Sequence, residues 1–106
     1  MPAPENIFFD LPQDAAAEHF TTLFEAAGVK IERIVSRSHY SPPDRWYDQP
    51  QAEWVIVLRG EAVLEFAVGR KVELQTGDHL LISPHEKHRV DRSSEETIWL
   101  AVHVSR

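Results

Sequence analysis

Short segments separated by glycine turns are the feature that most restricts the fold of this chain. Gly60, Gly69 and Gly77 divide the second half of the sequence into pieces that are too short for stable helices. These pieces are rich in β-branched residues or alternate polar with apolar side chains, which is typical of strands. We predict strands at residues 29–35, 53–59, 61–67, 71–75, 79–83 and 97–104. Short strands at this spacing predict an all-β fold, either a sandwich or a barrel.

The N-terminal residues follow a different pattern, which predicts one α-helix. Leu11–Asp14 has the composition of a helix start, and Gly28 stands where a left-handed C-terminal cap is expected. Apolar residues recur between them at helical spacing, at Ala16, Phe20, Leu23, Phe24 and Ala27. We therefore expect an N-terminal segment, 1–28, whose helix packs on a barrel domain formed by 29–106.

Composition and charge argue against several classes of function. The 106 residues are enough for one domain, and the net charge of -6 would repel a phosphate backbone, so we expect no nucleic-acid partner. Cysteine is absent, which removes disulfides and thiolate ligands. No apolar run is long enough to span a bilayer, and the N-terminus has no secretory signal. We expect a cytoplasmic protein with no membrane partner.

Two motifs in the second half of the chain carry a family resemblance. In the first, Glu53 is followed by six residues and then Gly60. The second begins at Gly77-Asp78, continues through an apolar strand and a proline-containing loop, and ends at His88. In this order the motifs resemble those of the cupin superfamily over residues 30–104, and in particular its short single-domain bacterial members. The resemblance implies a small jelly-roll barrel, the double-stranded β-helix, with a pocket inside it and a homodimeric assembly.

The resemblance also implies a divalent metal in the barrel, either Zn, Fe, Mn or Ni. Cupins commonly hold it with a histidine pair, the glutamate of the first motif and the histidine of the second. Glu53 and His88 match the last two positions. The histidine pair is missing, and the residues at the expected distances are Tyr47 and Gln49, or Trp46 and Asp48.

Other residues could complete a metal site. Asp48 is a chemically competent third ligand, and His39 is a free candidate upstream of the first motif. With Glu53 and His88, His39 would make a two-histidine, one-carboxylate set of the kind associated with non-haem iron. The plainer interpretations are that Glu53 is a solvated residue at a strand start and that His88 caps a loop through a backbone carbonyl.

Four residues are candidates for the wall of the pocket. His103 shares a strand face with Trp99 and Ala101, so it is either satisfied by a hydrogen bond in the core or exposed to the pocket. Aromatic and amide side chains precede the first motif and could flank a ligand. The predicted pocket residues are Trp46, Tyr47, Gln49 and His103.

Three hypotheses for function follow. The first is a metal-dependent enzyme, such as an isomerase, epimerase, lyase or dioxygenase, acting on a small polar molecule. The second is a metal-free module that binds or senses a small molecule without catalysis. The third is a scaffold with a closed interior. The sequence assigns no catalytic residue.

Overall fold

The fold is built entirely from β-strands. The computed structural model describes residues 2–14 and 17–105, and these residues contain eight strands and no helix. The strands are β1 His19–Ala26, β2 Val29–Ser36, β3 Ala52–Arg59, β4 Ala62–Phe66, β5 Arg70–Leu74, β6 His79–Ile82, β7 His88–Ser93 and β8 Thr97–Val104. The described residues therefore include no helix that could span a lipid bilayer.

The strands form two antiparallel sheets. The larger sheet has the order β1-β2-β8-β3-β6, and the smaller has the order β5-β4-β7. Strand β8 is the centre of the larger sheet, where it pairs with both β2 and β3. This position explains why β8 is apolar along nearly its whole length, as expected for a strand with neighbours on both edges and material on both faces.

The hydrophobic core lies between the two sheets. Its side chains alternate along each strand, so that one residue in two points inward. The buried apolar cluster consists of Ile34, Val55, Val57, Ala62, Leu64, Phe66, Leu74, Ile82, Val90, Trp99 and Ala101. Both sheets contribute to it, and the same inward alternation carries polar residues to one end of the core.

The predicted N-terminal helix is wrong. Residues 19–26 form β1 instead, which pairs antiparallel with β2 at the edge of the larger sheet. Gly28 does have a positive φ of 78°, but it lies in the turn between β1 and β2 rather than after a helix. Phe20 and Phe24, which suggested a buried helical face, are 53% and 54% exposed. Ala16 lies outside the described residues.

The helix prediction fails because a tertiary contact overrides the local sequence pattern. The backbone of β2 offers a free edge, and pairing with it satisfies the hydrogen bonds of β1 regardless of local helical propensity. A register shift between Thr22 and Phe24 also breaks the strict alternation of β1, so its sequence does not show the period of a strand.

The remaining strand predictions are confirmed within one residue at their ends, but β7 was missed. Val90 is its only large apolar residue, and the rest of His88–Ser93 is polar or charged. Val90 and His88 nevertheless point into the core, while Arg89 pairs outward with Glu65 of β4 at 2.8 Å. This segment forms a strand because it pairs with β4. Its sequence has too few apolar residues to show the alternation from which a strand is predicted.

The segment before β1 is held to the larger sheet by arginines. The guanidinium of Arg33 donates to the backbone oxygens of Ile7 and Phe9 at 3.2 and 2.9 Å. Arg37 donates to the backbone oxygen of Pro12. These bonds fix residues 7–12 against the larger sheet.

Candidate functional site

A cavity of about 130 Å³ lies between the sheets and has an apolar wall with one polar end. The apolar wall continues the hydrophobic core and consists of Ile34, Val55, Leu64, Ile82, Val90 and Trp99, with Phe20. The polar end consists of Glu18, Glu32, Tyr47, Gln49, Glu53, His88 and His103. A concave apolar space with a few convergent polar groups is the usual form of a small-molecule site.

Glu53 points into this cavity because it shares the inward face of β3 with Val55 and Val57. Glu53 is only 7% exposed, so the interpretation of it as a solvated residue at a strand start does not hold. In the sheet, Glu53 lies opposite His103 of β8 on one side and Ile82 of β6 on the other. The Gln49 amide donates to Glu53 Oε1 at 3.0 Å and holds the carboxylate in place.

His88 faces Glu53 from the smaller sheet. It begins β7, and its backbone exchanges two hydrogen bonds with Tyr47, at 2.7 and 3.1 Å. Its Nδ1 lies 2.8 Å from the backbone oxygen of Glu86, which can only accept, so Nδ1 carries a proton. This leaves Nε2 directed at Glu53, with 3.6 Å between His88 Nε2 and Glu53 Oε1.

Compared with their ordinary values, the pKa of Glu53 is lowered and the pKa of His88 is raised. Burial alone would raise the pKa of Glu53, but the contact with His88, the charge of His103 and the Gln49 hydrogen bond together lower it. Burial alone would lower the pKa of His88, but the contact with Glu53 and the bond to the Glu86 carbonyl together raise it. Both shifts favour a carboxylate facing an imidazolium, which is a base beside an acid.

A second imidazole approaches the same carboxylate. His103 Nε2 lies 2.8 Å from Glu32 Oε1 and 3.9 Å from Glu53 Oε2. The sequence left open whether His103 is satisfied by a hydrogen bond or exposed to the pocket. In the structure both are true, because His103 bonds Glu32 and also lines the cavity. Glu32 is brought there by β2, whose inward face it shares with Ile34, and it also contacts Lys30 at 3.7 Å.

A third carboxylate reaches the cavity from the segment before β1. Glu18 accepts hydrogen bonds from the Tyr47 hydroxyl at 3.2 Å and from the Ser36 hydroxyl at 2.7 Å. Burial, together with the charge of Glu18 and the hydrogen bond to it, raises the pKa of Tyr47 to about 12. The Tyr47 hydroxyl therefore stays protonated at neutral pH and acts as a donor.

Three of the other predicted site residues, Asp48, His39 and Trp46, do not line the cavity with Glu53 and His88. Asp48 Oδ1 is 2.8 Å from His85 Nδ1, in an exposed pair. His39 Nε2 lies 3.5 Å from Glu18 Oε1. Trp46 is partly buried beneath the guanidinium of Arg89 and does not line the cavity. Tyr47 and Gln49 do line it.

The donor atoms do not form a metal site in this arrangement. Within residues 2–14 and 17–105, no group of three or more His, Asp or Glu side chains is placed to hold a metal ion. Asp48 and His39 are engaged elsewhere, and the hydrogen bond to Glu32 occupies His103 Nε2. The set Glu53, His88, Asp48 and His39 therefore does not fit a metal as it stands.

Two residues of the site were missed from the sequence. Glu32 has a signal, because it shares strand parity with Ile34, but Lys30 has the same parity and Arg33 the opposite one, so neither face of β2 is uniformly apolar. Glu18 has no comparable signal, since it precedes a segment that was interpreted as a helix.

The sequence of the chain matches the profile of a known protein domain. The family profile described as the cupin domain matches residues 37–103, more than half of the chain. The chain belongs to the cupin family. The matched region of this cupin includes β3 to β7 and most of β8, and with them Glu53, His88 and His103. No curated protein matches the chain.

Solved structures support the same fold. A Ralstonia eutropha protein provisionally named a mannose-6-phosphate isomerase is 42% identical to this cupin, over 99% of this chain and 100% of that one, with a TM-score of 0.92. A cupin superfamily protein from Desulfitobacterium hafniense is 16% identical, over 91% of this chain and 84% of that one, with a TM-score of 0.77. A Streptococcus pyogenes protein of unknown function is 13% identical, over 100% and 90%, with a TM-score of 0.80. The last two likenesses concern the fold alone.

Proposed function

We propose that this cupin binds a small molecule in the cavity between its sheets and transfers a proton to or from it through Glu53 and His88. The observation that carries this proposal is the buried pair itself, with 3.6 Å between Glu53 Oε1 and His88 Nε2 at the polar end of an apolar cavity. General acid–base catalysis uses groups of this kind, a base and an acid within reach of the same bound molecule.

Each residue has a defined task in this proposal. Glu53 is the base, because its lowered pKa keeps it ionised at neutral pH. His88 is the acid, because its raised pKa favours the protonated form and its Nε2 faces the cavity. Gln49 holds the Glu53 carboxylate, and the apolar wall offers the bound molecule a surface to pack against.

The reaction class that suits this pair is the removal and return of a carbon-bound proton next to a carbonyl group. Such steps occur in isomerases, epimerases and lyases. The isomerase in the name of the Ralstonia relative belongs to this class. The phosphate in that name finds no support in the cavity, because neither a lysine nor an arginine among residues 2–14 and 17–105 lines it.

Hydrogen exchange tests the proposal without knowledge of the net reaction. Small non-phosphorylated aldehydes, ketones and hydroxy carbonyl compounds are incubated with the protein in D₂O, and loss of their carbon-bound proton is followed by ¹H NMR. We expect catalysed exchange for at least one compound, reduced about a hundredfold or more in Glu53→Gln, since a general base contributes 10²–10⁴-fold. Glu61→Gln, an exposed carboxylate after β3, is the matched control and should exchange as the wild type does.

Two outcomes would contradict the proposal. Exchange that survives in Glu53→Gln would show that another group is the base. A protein that neither binds nor exchanges any compound of this class would overturn proton transfer next to a carbonyl group as the function of this cavity.

The alternative at the same position is a divalent metal, which family resemblance implies. It requires a third ligand, so His39 or Asp48 must leave its present partner or His103 must leave Glu32. Elemental analysis of protein purified without chelator, beside Glu53→Ala and His88→Ala, decides between them. One equivalent of Zn, Fe, Mn or Ni that both substitutions remove would favour the metal; a wild type that cannot be loaded would favour the acid–base pair.

A further inference from the structure

The size of the cavity restricts what can occupy it. A closed apolar cavity of 150 Å³ holds one benzene molecule. The cavity of this cupin, at about 130 Å³, therefore suits a ligand, or the buried part of one, of about six or seven non-hydrogen atoms. A sugar phosphate is well above this size.

The charges around the cavity are the second restriction. Three carboxylates line it, from Glu18, Glu32 and Glu53, and no lysine or arginine of the described residues does. The imidazoles of His88 and His103 face Glu53 and Glu32. An anion placed in this space would meet three carboxylates at low dielectric. The positive groups beside them are His88 at Glu53 and the half-exposed Lys30, whose Nζ lies 3.7 Å from Glu32.

Of the three carboxylates, Glu18 has the least positive charge close to it. Its side chain is 6% exposed, and its two hydrogen-bond donors, the Tyr47 and Ser36 hydroxyls, are neutral. The nearest basic group is His39, whose Nε2 is 3.5 Å from Glu18 Oε1. Because its two hydroxyl donors are neutral, a cation bound in the cavity would supply an attraction that they do not.

Three aromatic side chains contribute to the same cavity. Phe20, Tyr47 and Trp99 line the cavity together with Glu18. Ring faces attract organic cations through their quadrupole, most strongly where water is excluded. The aromatic rings are independent of the carboxylates, and both features favour the same ligand charge.

We propose that the cavity selects a small organic cation, such as an alkylammonium compound, over neutral and phosphorylated molecules, and that Glu18 determines this choice. This inference rests on the proposed function, since it concerns the ligand of the same cavity. It differs from what the name of the Ralstonia relative suggests, because mannose 6-phosphate is an anion.

A matched pair of probes tests the choice of charge. Choline and 3,3-dimethylbutanol have the same skeleton and differ in a quaternary nitrogen against a quaternary carbon. Both are titrated, with mannose 6-phosphate as the anionic probe, into ¹⁵N-labelled wild-type protein and followed by NMR shifts of cavity residues. We expect choline to bind about tenfold more tightly than its isostere, as an aromatic and carboxylate site would give.

A variant then tests the role of Glu18. Glu18→Gln keeps an oxygen for Tyr47 and a polar partner for Ser36 while removing the charge, so the preference for choline should fall to about twofold or less. Glu61→Gln is again the matched control and should keep the wild-type preference. The comparison of probes on the wild type stands alone if Glu18→Gln fails to fold.

The outcomes separate this inference from the proposed function. Equal binding of choline and its isostere, or tighter binding of mannose 6-phosphate, would overturn the choice of charge while showing that the cavity takes ligands. The absence of any shift at cavity residues with all three probes would also overturn it. The D₂O exchange experiment, which uses no cationic probe, decides the fate of the proton-transfer function independently.

Discussion

At the scale of single residues, the site depends on one ion pair that burial alone would oppose. Removing a carboxylate and an imidazolium from water is costly, and only their mutual attraction and further hydrogen bonds offset that cost. Glu53 has Gln49 and two imidazoles around it, and His88 has the Glu86 carbonyl behind it. The pair is therefore held in its ionised form by named neighbours, each of which can be removed.

The first prediction at this scale concerns the pKa of His88. In Glu53→Gln the attraction that raises this pKa is lost while the burial that lowers it remains, so we expect the pKa of His88 to fall below the wild-type value. The His88 ring protons, followed by NMR from about pH 4 to pH 9, report this directly around the ordinary value of about 6.5. Glu61→Gln should leave the titration unchanged.

The same pair fixes the sign of a pH effect on stability. The raised pKa of His88 contributes stability that is complete below its unfolded value of about 6.5 and is lost as pH rises through the folded value. The lowered pKa of Glu53 contributes stability that is complete above its unfolded value of about 4.3 and is lost as pH falls through the folded value. The stability difference between wild type and Glu53→Gln should be largest between these limits. A His88 pKa that rises in Glu53→Gln would contradict this assignment.

At the scale of elements, two turns with similar backbone strain differ in their surroundings. Gly60 and Gly69 have φ values of 82° and 92°, a region that costs other residues about 1–2 kcal/mol. A Cβ at Gly60 would collide with the Glu96 backbone oxygen and the Ser94 hydroxyl, whereas a Cβ at Gly69 would meet nothing within 4 Å. The turn after β3 is therefore packed against the turn before β8, and the turn after β4 is free.

This contrast predicts unequal effects of the same substitution. Gly69→Ala should reduce the free energy of unfolding by about 1 kcal/mol through backbone strain alone. Gly60→Ala adds a steric clash with backbone, and we expect a loss of about 3 kcal/mol or more. Urea denaturation of both variants provides the measurement. Equal losses would show that the turn after β3 can move away from Glu96.

At the scale of the whole molecule, the edge of the larger sheet leaves apolar side chains in solvent. Leu23 of β1 is 44% exposed, Phe24 of the same strand is 54% exposed, and β1 has a partner on one side only. Exposed edge strands with apolar side chains are open to pairing with another chain. The homodimer stays a prediction, and this edge is the surface on which we expect it to form.

Light scattering tests that expectation. We expect the wild type to be a dimer at micromolar concentration and the double variant Leu23→Lys, Phe24→Lys to be a folded monomer, because like charges on an edge strand prevent pairing. Val68→Lys, at an 88% exposed position in the turn between β4 and β5, is the matched control and should stay dimeric. A wild type that is monomeric at all concentrations would show that β1 remains a free edge.

The sequence by itself determined most of the strands, and it singled out both members of the buried Glu53–His88 pair. Alternation and glycine turns revealed β2 to β6 and β8, because the period of side chains along a strand is a local property. The resemblance of the motifs around Glu53–Gly60 and Gly77–His88 to those of cupins drew attention to the two residues that the structure brings within 3.6 Å.

Tertiary structure alone decided the rest. Residues 19–26 became a strand because β2 offered an edge, and β7 formed around Val90 because β4 lay beside it. Glu32 meets His103 across 71 residues of sequence, and Glu18 meets Tyr47 across 29. Contacts at such separations depend on which strands become neighbours, and no local pattern of side chains records that choice.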